Sequence, residues 1–357
     1  MKDFYQIFIK SEMKYKISVF LLGLAFITCV IITHGSIGLK FIDSFNNIVF
    51  NGIVVCLFAI GVSTVIASGG VDLSSSGVAT LSGVIMAIFI NMFQNKFLGF
   101  PIGLYIGFII SIICSLLSGF FLGYFITNRS SPPLVFTWTW GIVLFSVSIF
   151  LSRKAHGAIP IIIDKSNHLS KMIGGAGGVS IMGVKLTEPD SSYLFLFALS
   201  IAYFFWFSGF PRKVRAVGAN SDSATYAGIS VKKTIISTYV LNALLSSIAG
   251  MILLFQTSKA STTELVGKEI IAIAIAVLGG TVMSGGYLNI FSVVCAAFFY
   301  AATEKLTNSI GIANDINQNQ IIQSLFALVF IFIAILLGKQ INGKTEQIQI
   351  DRNTNNL

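Results

Sequence analysis

The sequence predicts an all-α polytopic membrane protein of about ten transmembrane helices carrying Gly-rich helix breaks. Three observations predict it: an apolar composition, ten apolar stretches of spanning length, and prolines that fall between those stretches. Of 357 residues, 55% are hydrophobic and only 10% are charged, with a mean hydropathy of +0.85. Too few polar groups remain to coat a water-soluble globule, so lipid is the principal solvent. A hydrocarbon core about 30 Å thick takes roughly 20 helical residues to cross. The stretches that meet this length run 17–33, 48–67, 77–92, 101–127, 134–152, 191–209, 233–257, 269–283, 287–303 and 321–338. A membrane β-barrel would instead show alternating segments of about ten residues, which do not dominate here. Pro101, Pro132, Pro133, Pro160, Pro189 and Pro211 all lie at or between span ends, as expected of a residue that costs an interior helix a hydrogen bond.

The net charge of +9 would suggest nucleic acid in a soluble chain. In a membrane chain its placement reports orientation, and no nucleic-acid partner is inferred. With the N-terminus cytoplasmic, 13 of 23 basic and 6 of 14 acidic residues fall inside, so that side carries +7 and the other +2. Residues 1–16 then form a cytoplasmic N-terminal segment, 17–338 the transmembrane domain, and 339–357 a polar cytoplasmic tail. The N-terminal basic residues and first span read as a retained signal anchor. Residues 153–190 form an outer loop, either an ordered cap or docking surface or a linker between halves. Cys29, Cys56, Cys114 and Cys295 lie in apolar spans and imply neither a disulfide nor a metal.

Two Gly-rich interruptions break the apolar pattern. The first is Ser68-Gly69-Gly70-Val71-Asp72-Leu73-Ser74; the second is Leu278-Gly279-Gly280-Thr281, followed by Ser284-Gly285-Gly286. Non-helical backbone at membrane depth is tolerated only when buried in protein or lining a watery cavity, so paired breaks point to a translocation path. The alternative is that the glycines form tight turns or allow helices to approach closely. Asp72 reads first as a cap for a helix starting near Ser74 and second as a ligand for solute. Asn51, Asn242 and Gln256, polar residues inside spans, read as interhelical hydrogen-bonding groups.

The inner loop 210–232 is basic and compatible with a helix. Its run of small residues from Asp222 through Ala224 and Ala227 ends at Gly228 and Ile229, ahead of Lys232 and Lys233. Such a helix either inserts into a groove on a cytoplasmic partner or lies on lipid head groups with the lysines as anchors.

The string SGGVDLSSSGV at 68–78 resembles a signature of the ribose and galactose type permeases of bacterial ATP-binding-cassette importers. The block from Arg215 through Asn220 to Lys232 is similar to that family's A-(I/V)-G-x-N and A-x-x-(S/A)-G-I patterns. The block AVLGGT at 276–281 with Ser284-Gly285-Gly286 is similar to its VLGGTSLSGG. The resemblance covers roughly residues 15–338. It implies that Asn220, Asp222, Ala224, Gly228 and Ile229 belong to the loop that docks on a separate ATPase subunit, with Asp222 and Ser223 standing where the family has glutamate and alanine. In the first block Ser75 and Ser76 shift the usual spacing. The resemblance further implies an extracytoplasmic solute-binding protein, a second permease subunit, a bacterial inner-membrane location, and a sugar as solute, with nucleosides or autoinducer-2 as alternatives. No phosphate loop, H-E-x-x-H or Ser-His-Asp pattern is present, so no reaction and no cofactor are expected in this chain. An ion-coupled carrier would call for ionisable groups within spans, and these are nearly absent.

Overall fold

The computed structural model describes residues 41–93, 102–129, 132–153, 158–160, 180–181, 184–185, 197–201, 203 and 208–309. The expected spans at 17–33 and 321–338, the N-terminal segment and the polar tail lie outside the described residues, as do most of the outer loop and much of the span at 191–209.

The elements in order are α1 (Phe41–Ala67), α2 (Ser75–Met92), α3 (Ile102–Arg129), α4 (Pro133–Ser152), β1 (Ala158–Pro160), β2 (Ser180–Ile181), β3 (Val184–Lys185), α5 (Phe210–Ala219), α6 (Ser221–Tyr226), α7 (Val231–Thr257), β4 (Lys259–Ser261), α8 (Lys268–Leu278) and α9 (Ile290–Ser309). Among the described residues five helices, α1, α2, α3, α4 and α7, are long and apolar enough to cross a membrane. Their bounds follow the expected spans closely; lipid offers no partner for backbone amides and forces each apolar run into a complete helix.

The helices form a bundle with two distinct ends. At one end, Lys232 Nζ near the start of α7 donates to Asn128 Oδ1 near the end of α3, at 3.0 Å. The basic helix α5 and the last turn of α1 lie at this same end, where Gly218 abuts the Ala67 carbonyl. At the opposite end, Asn91 near the close of α2 donates to the Pro160 carbonyl at 2.8 Å. There β1 pairs antiparallel with β4, Ile159 facing Ala260 in register, so the loop after α4 is stitched to the segment that follows α7.

The helix α7 is the hub, packing against α1, α2 and α3. Lipid tails are as apolar as leucine, so helices associate in a membrane through close packing rather than through escape from water. The α3–α7 seam shows this. A Cβ at Gly119 would fall 2.8 Å from Val240 Cα, and one at Gly123 would fall 2.8 Å from Ile236 Cα. The small residues four apart bring the two backbones together. By contrast α4 turns Leu134, Val135, Trp138, Ile142 and Phe150 outward from the described bundle.

One expected span is corrected. The apolar run 269–283 predicts a crossing helix, but α8 stops after 11 residues at Leu278. At 1.5 Å per residue that is about 16 Å, roughly half the hydrocarbon core. Hydropathy continues through Gly279 and Gly280, whereas the helix does not.

Candidate functional site

Three helices end in the same way, and all three ends carry the glycines singled out in the sequence. At the close of α1, Gly69 N donates to Ile66 O and Gly70 N to Val65 O; at α6, Gly228 N donates to Thr225 O and Ile229 N to Ala224 O; at α8, Gly280 N donates to Val277 O and Thr281 N to Ala276 O. Each pair is a Schellman closure, in which a residue in the left-handed region returns two amides to the last turn. Gly69, Gly228 and Gly280 supply that residue, with φ of 89°, 78° and 88°. The two breaks are therefore defined helix terminations.

After α1 closes, the chain climbs back through Val71 and Asp72 to the foot of α2. Asp72 is 1% exposed. Its Oδ1 accepts from Ser74 N at 2.8 Å and Ser74 Oγ at 2.7 Å, and its Oδ2 accepts from Asn242 Nδ2 at 2.8 Å. Asn242 Nδ2 also donates to Ser75 Oγ at 2.9 Å. Asp72 thus holds an amide at the start of α2, as a capping residue does, and is tied to the middle of α7 as well. Asn242 lies eleven residues beyond Val231, about 16 Å along α7 from its basic end. On the other flank, Thr137 of α4 accepts from Leu73 N at 3.2 Å. Gly70 sits under Tyr239, whose hydroxyl would lie 2.6 Å from a Cβ there.

The second break is built differently. Gly279 lies against the backbone of α9, where a Cβ would fall 2.6 Å from Val293 Cα. Thr281 is 2% exposed, and its Oγ1 has no hydrogen-bond partner among the described residues. Ser284 is exposed. Gly285 and Gly286, with φ of 84° and 80°, carry the chain to the basic end of the bundle, where Gly286 N donates to the Ala67 carbonyl at 2.9 Å.

Here the three motif blocks meet. A Cβ on Gly218 of α5 would collide with the Ala67 carbonyl and fall 2.6 Å from Gly286 N. A Cβ on Gly285 would fall 2.9 Å from Gly218 O and 3.1 Å from Gly69 N. The basic segment, the first break and the second break are joined backbone to backbone, although 67 residues or more separate the contacting residues along the chain. Asn242 and Gly218 are the positions whose importance the sequence did not reveal. The first carried a signal, an amide within an apolar span; the second carried only its place in a matching block.

Downstream of this junction, Asn220 closes α5 and opens α6, its Oδ1 accepting from Ser223 N at 2.8 Å. Ala224 is buried and anchors α6, while Asp222, Tyr226 and Gly228 are exposed, Tyr226 at 92%. Ile229 is partly buried. The short helix therefore projects from the bundle with one residue rooted in it.

Non-helical backbone buried within an apolar helical bundle, beside the basic helix α5 and the short projecting α6, defines the class of multi-pass membrane protein. The chain belongs to the branched-chain amino acid transport system / permease component family, whose model matches residues 44–336. It is 29% identical over 304 residues to the inner membrane ABC transporter permease protein YjfF of Escherichia coli (strain K12), covering 84% of this chain and 86% of that one. Shorter matches are found to the xylose transport system permease protein XylH of Haemophilus influenzae, 36% identical over 98 residues (28% and 26% of the two chains). The L-arabinose transport system permease protein AraH of Escherichia coli (strain K12) is 35% identical over 104 residues (29% and 32%).

Proposed function

We propose that this chain is the channel-forming permease of an ATP-driven sugar importer, with its basic end cytoplasmic and α6 docking on a separate ATPase subunit. The observation that carries the reading is the projection of α6. It is rooted by Ala224, exposed on its remaining faces, and follows directly on the α5 junction with both breaks. The basic residues Arg129, Arg212, Lys213, Arg215, Lys232 and Lys233 gather at this end, which the positive-inside preference makes cytoplasmic. Two relatives are named for the sugars xylose and arabinose, and a third, AlsC of Escherichia coli, for D-allose. These names support a pentose- or hexose-like solute.

In this reading a solute-binding protein delivers sugar at the β1–β4 end, and a second permease subunit completes the pore. ATP binding on the partner subunits then moves α6. The breaks at Gly69, Gly70, Asp72 and Ser74 and at Gly279, Gly280, Ser284, Gly285 and Gly286 shape the path, because defined helix ends can exchange between two arrangements without unwinding a whole span. No bond is made or broken by this subunit.

The test is Gly228→Trp in proteoliposomes with the ATPase and binding protein. Among the described residues nothing lies within 4 Å of a Cβ at Gly228, but its φ of 78° strains any side chain there. Gly228→Ala, equally strained and without bulk, is therefore run beside it, and what the Trp variant loses beyond the Ala variant is due to what docks there. The expected outcome is ATPase capture weakened roughly tenfold or more, with uptake of labelled pentoses and hexoses lost and the permease still monodisperse in detergent. Unchanged uptake would remove α6 from the docking role. Uptake of leucine in place of sugars would correct the solute.

A further inference from the structure

At Gly218 α5 meets the rest of the bundle backbone to backbone, and the approach involves both breaks together. The Ala67 carbonyl, the last of α1, receives Gly286 N at 2.9 Å, and Gly218 leaves no room for a side chain against either group. Gly285 packs on Gly218 O and on Gly69 N. The next residue, Ala219, lies against Gly286, its Cα 3.0 Å from a Cβ built there. The rest of α5 is fixed to the bundle by Val214 and Val217, both buried. An ordinary helix contact through side chains has slack, since rotamers can adjust; contact between main-chain atoms has almost none.

We propose that Gly218 is a positioning residue, a rigid joint through which displacement of the docking segment is delivered to the first and second breaks at once. The proposal rests on the docking reading of α6 and goes beyond it. Docking explains how force reaches α6; the joint explains how both breaks respond together. Because α5 ends at Ala219 and α6 begins at Ser221, only Asn220 separates the joint from the docking helix, and no flexible linker absorbs the motion. A side chain at 218 would wedge Ala67 away from Gly286 and part the two breaks from each other and from α5.

The experiment uses the complex of permease and ATPase in proteoliposomes, with Cys29, Cys56, Cys114 and Cys295 replaced by alanine and Ser284→Cys as a reporter on the second break. The rate of maleimide labelling is measured without nucleotide and with ATP plus vanadate. The parent should change its rate roughly fivefold or more, the lower bound of a typical coupling free energy. Gly218→Ala should reduce that change to less than twofold while the ATPase still copurifies and still hydrolyses ATP. Ala219→Leu, at an exposed position beside Gly286, adds bulk next to the joint without placing it in the core; it should act in the same direction and decides the matter if Gly218→Ala does not assemble. A merely structural role would lower yield or stability without erasing the nucleotide-dependent difference. The joint is overturned if the difference survives in these variants, or if the parent, with ATPase bound, shows no difference. Failure of Gly228→Trp to weaken ATPase capture would instead overturn the docking reading, which separates the two failures.

Discussion

The two glycine breaks begin alike and are secured in opposite ways. Both open with a Schellman closure on a left-handed glycine. The first then hands its chain to a polar clasp, Asp72 with Ser74, Asn242 and Ser75, flanked by Thr137. The second has no clasp of this kind among the described residues; it is held by the fit of Gly279 on α9 and of Gly285 and Gly286 on α5. The difference teaches where each break can yield. Hydrogen bonds buried away from water are expensive to leave unmade, so the first break is pinned to α7. Gly285 and Gly286 are fixed at the α5 joint, but the fit of Gly279 on α9 is a shape contact, lost gradually as surfaces slide, so on its α8–α9 side the second break is the one suited to move.

Substitutions sharpen the contrast, and Asp72→Ala should have the largest effect. It strands the buried Ser74 amide, the Ser74 hydroxyl and one N–H of Asn242, whose amide group still reaches Ser75 Oγ, at about 1 to 3 kcal/mol for each donor left without a partner. A total near 4 kcal/mol is expected in denaturant unfolding of the detergent-solubilised protein. Asp72→Asn, which keeps an acceptor oxygen, should recover about half of it. Equal losses for the two variants would show that the clasp depends on charge rather than on hydrogen-bond count. Gly279→Val comes next. Its side chain meets main-chain atoms of Val293, which cannot rotate aside, so α8 and α9 must part at a cost of about 2 kcal/mol. A loss as large as that of Asp72→Ala would mean that the second break is pinned as firmly as the first.

Much of this architecture was legible in the sequence, and the exceptions share a cause. The span expected at 233–257 is α7 at Val231–Thr257, and that expected at 134–152 is α4 at Pro133–Ser152. Hydropathy reads such elements because each satisfies its own backbone locally. The helix start expected near Ser74 is present, with Asp72 holding the Ser74 amide, since an acidic residue two positions before the N-cap acts over short range. The interhelical role expected of in-span amides is seen at Asn242 and at Gln256, which donates to the Phe50 carbonyl of α1. What the sequence could not disclose is which groups meet. Asp72 and Asn242 are 170 residues apart, and Gly218 touches Ala67 and Gly286 through main-chain atoms that every residue possesses. The early end of α8 was half legible: the glycine pair was recognised as an interruption, yet the apolar run beyond it was counted into a full span.

The smallest expected effect bears most directly on the comparison. Thr281 and Ser74 are both buried hydroxyl residues within a break, but Ser74 Oγ donates to Asp72 whereas Thr281 Oγ1 has no partner among the described residues. Ser74→Ala should therefore cost about 1 to 2 kcal/mol, the worth of a hydrogen bond to a carboxylate. Thr281→Val keeps the β-branch and nearly the same volume while removing a hydroxyl that satisfies nothing, so stability should stay within about 1 kcal/mol of the parent or rise. Unfolding midpoints of the two variants, measured side by side, test this. A cost for Thr281→Val matching that of Ser74→Ala would mean that its hydroxyl finds a partner, a trapped water or a passing solute. The second break would then be a polar station on the path, and shape alone would not hold it.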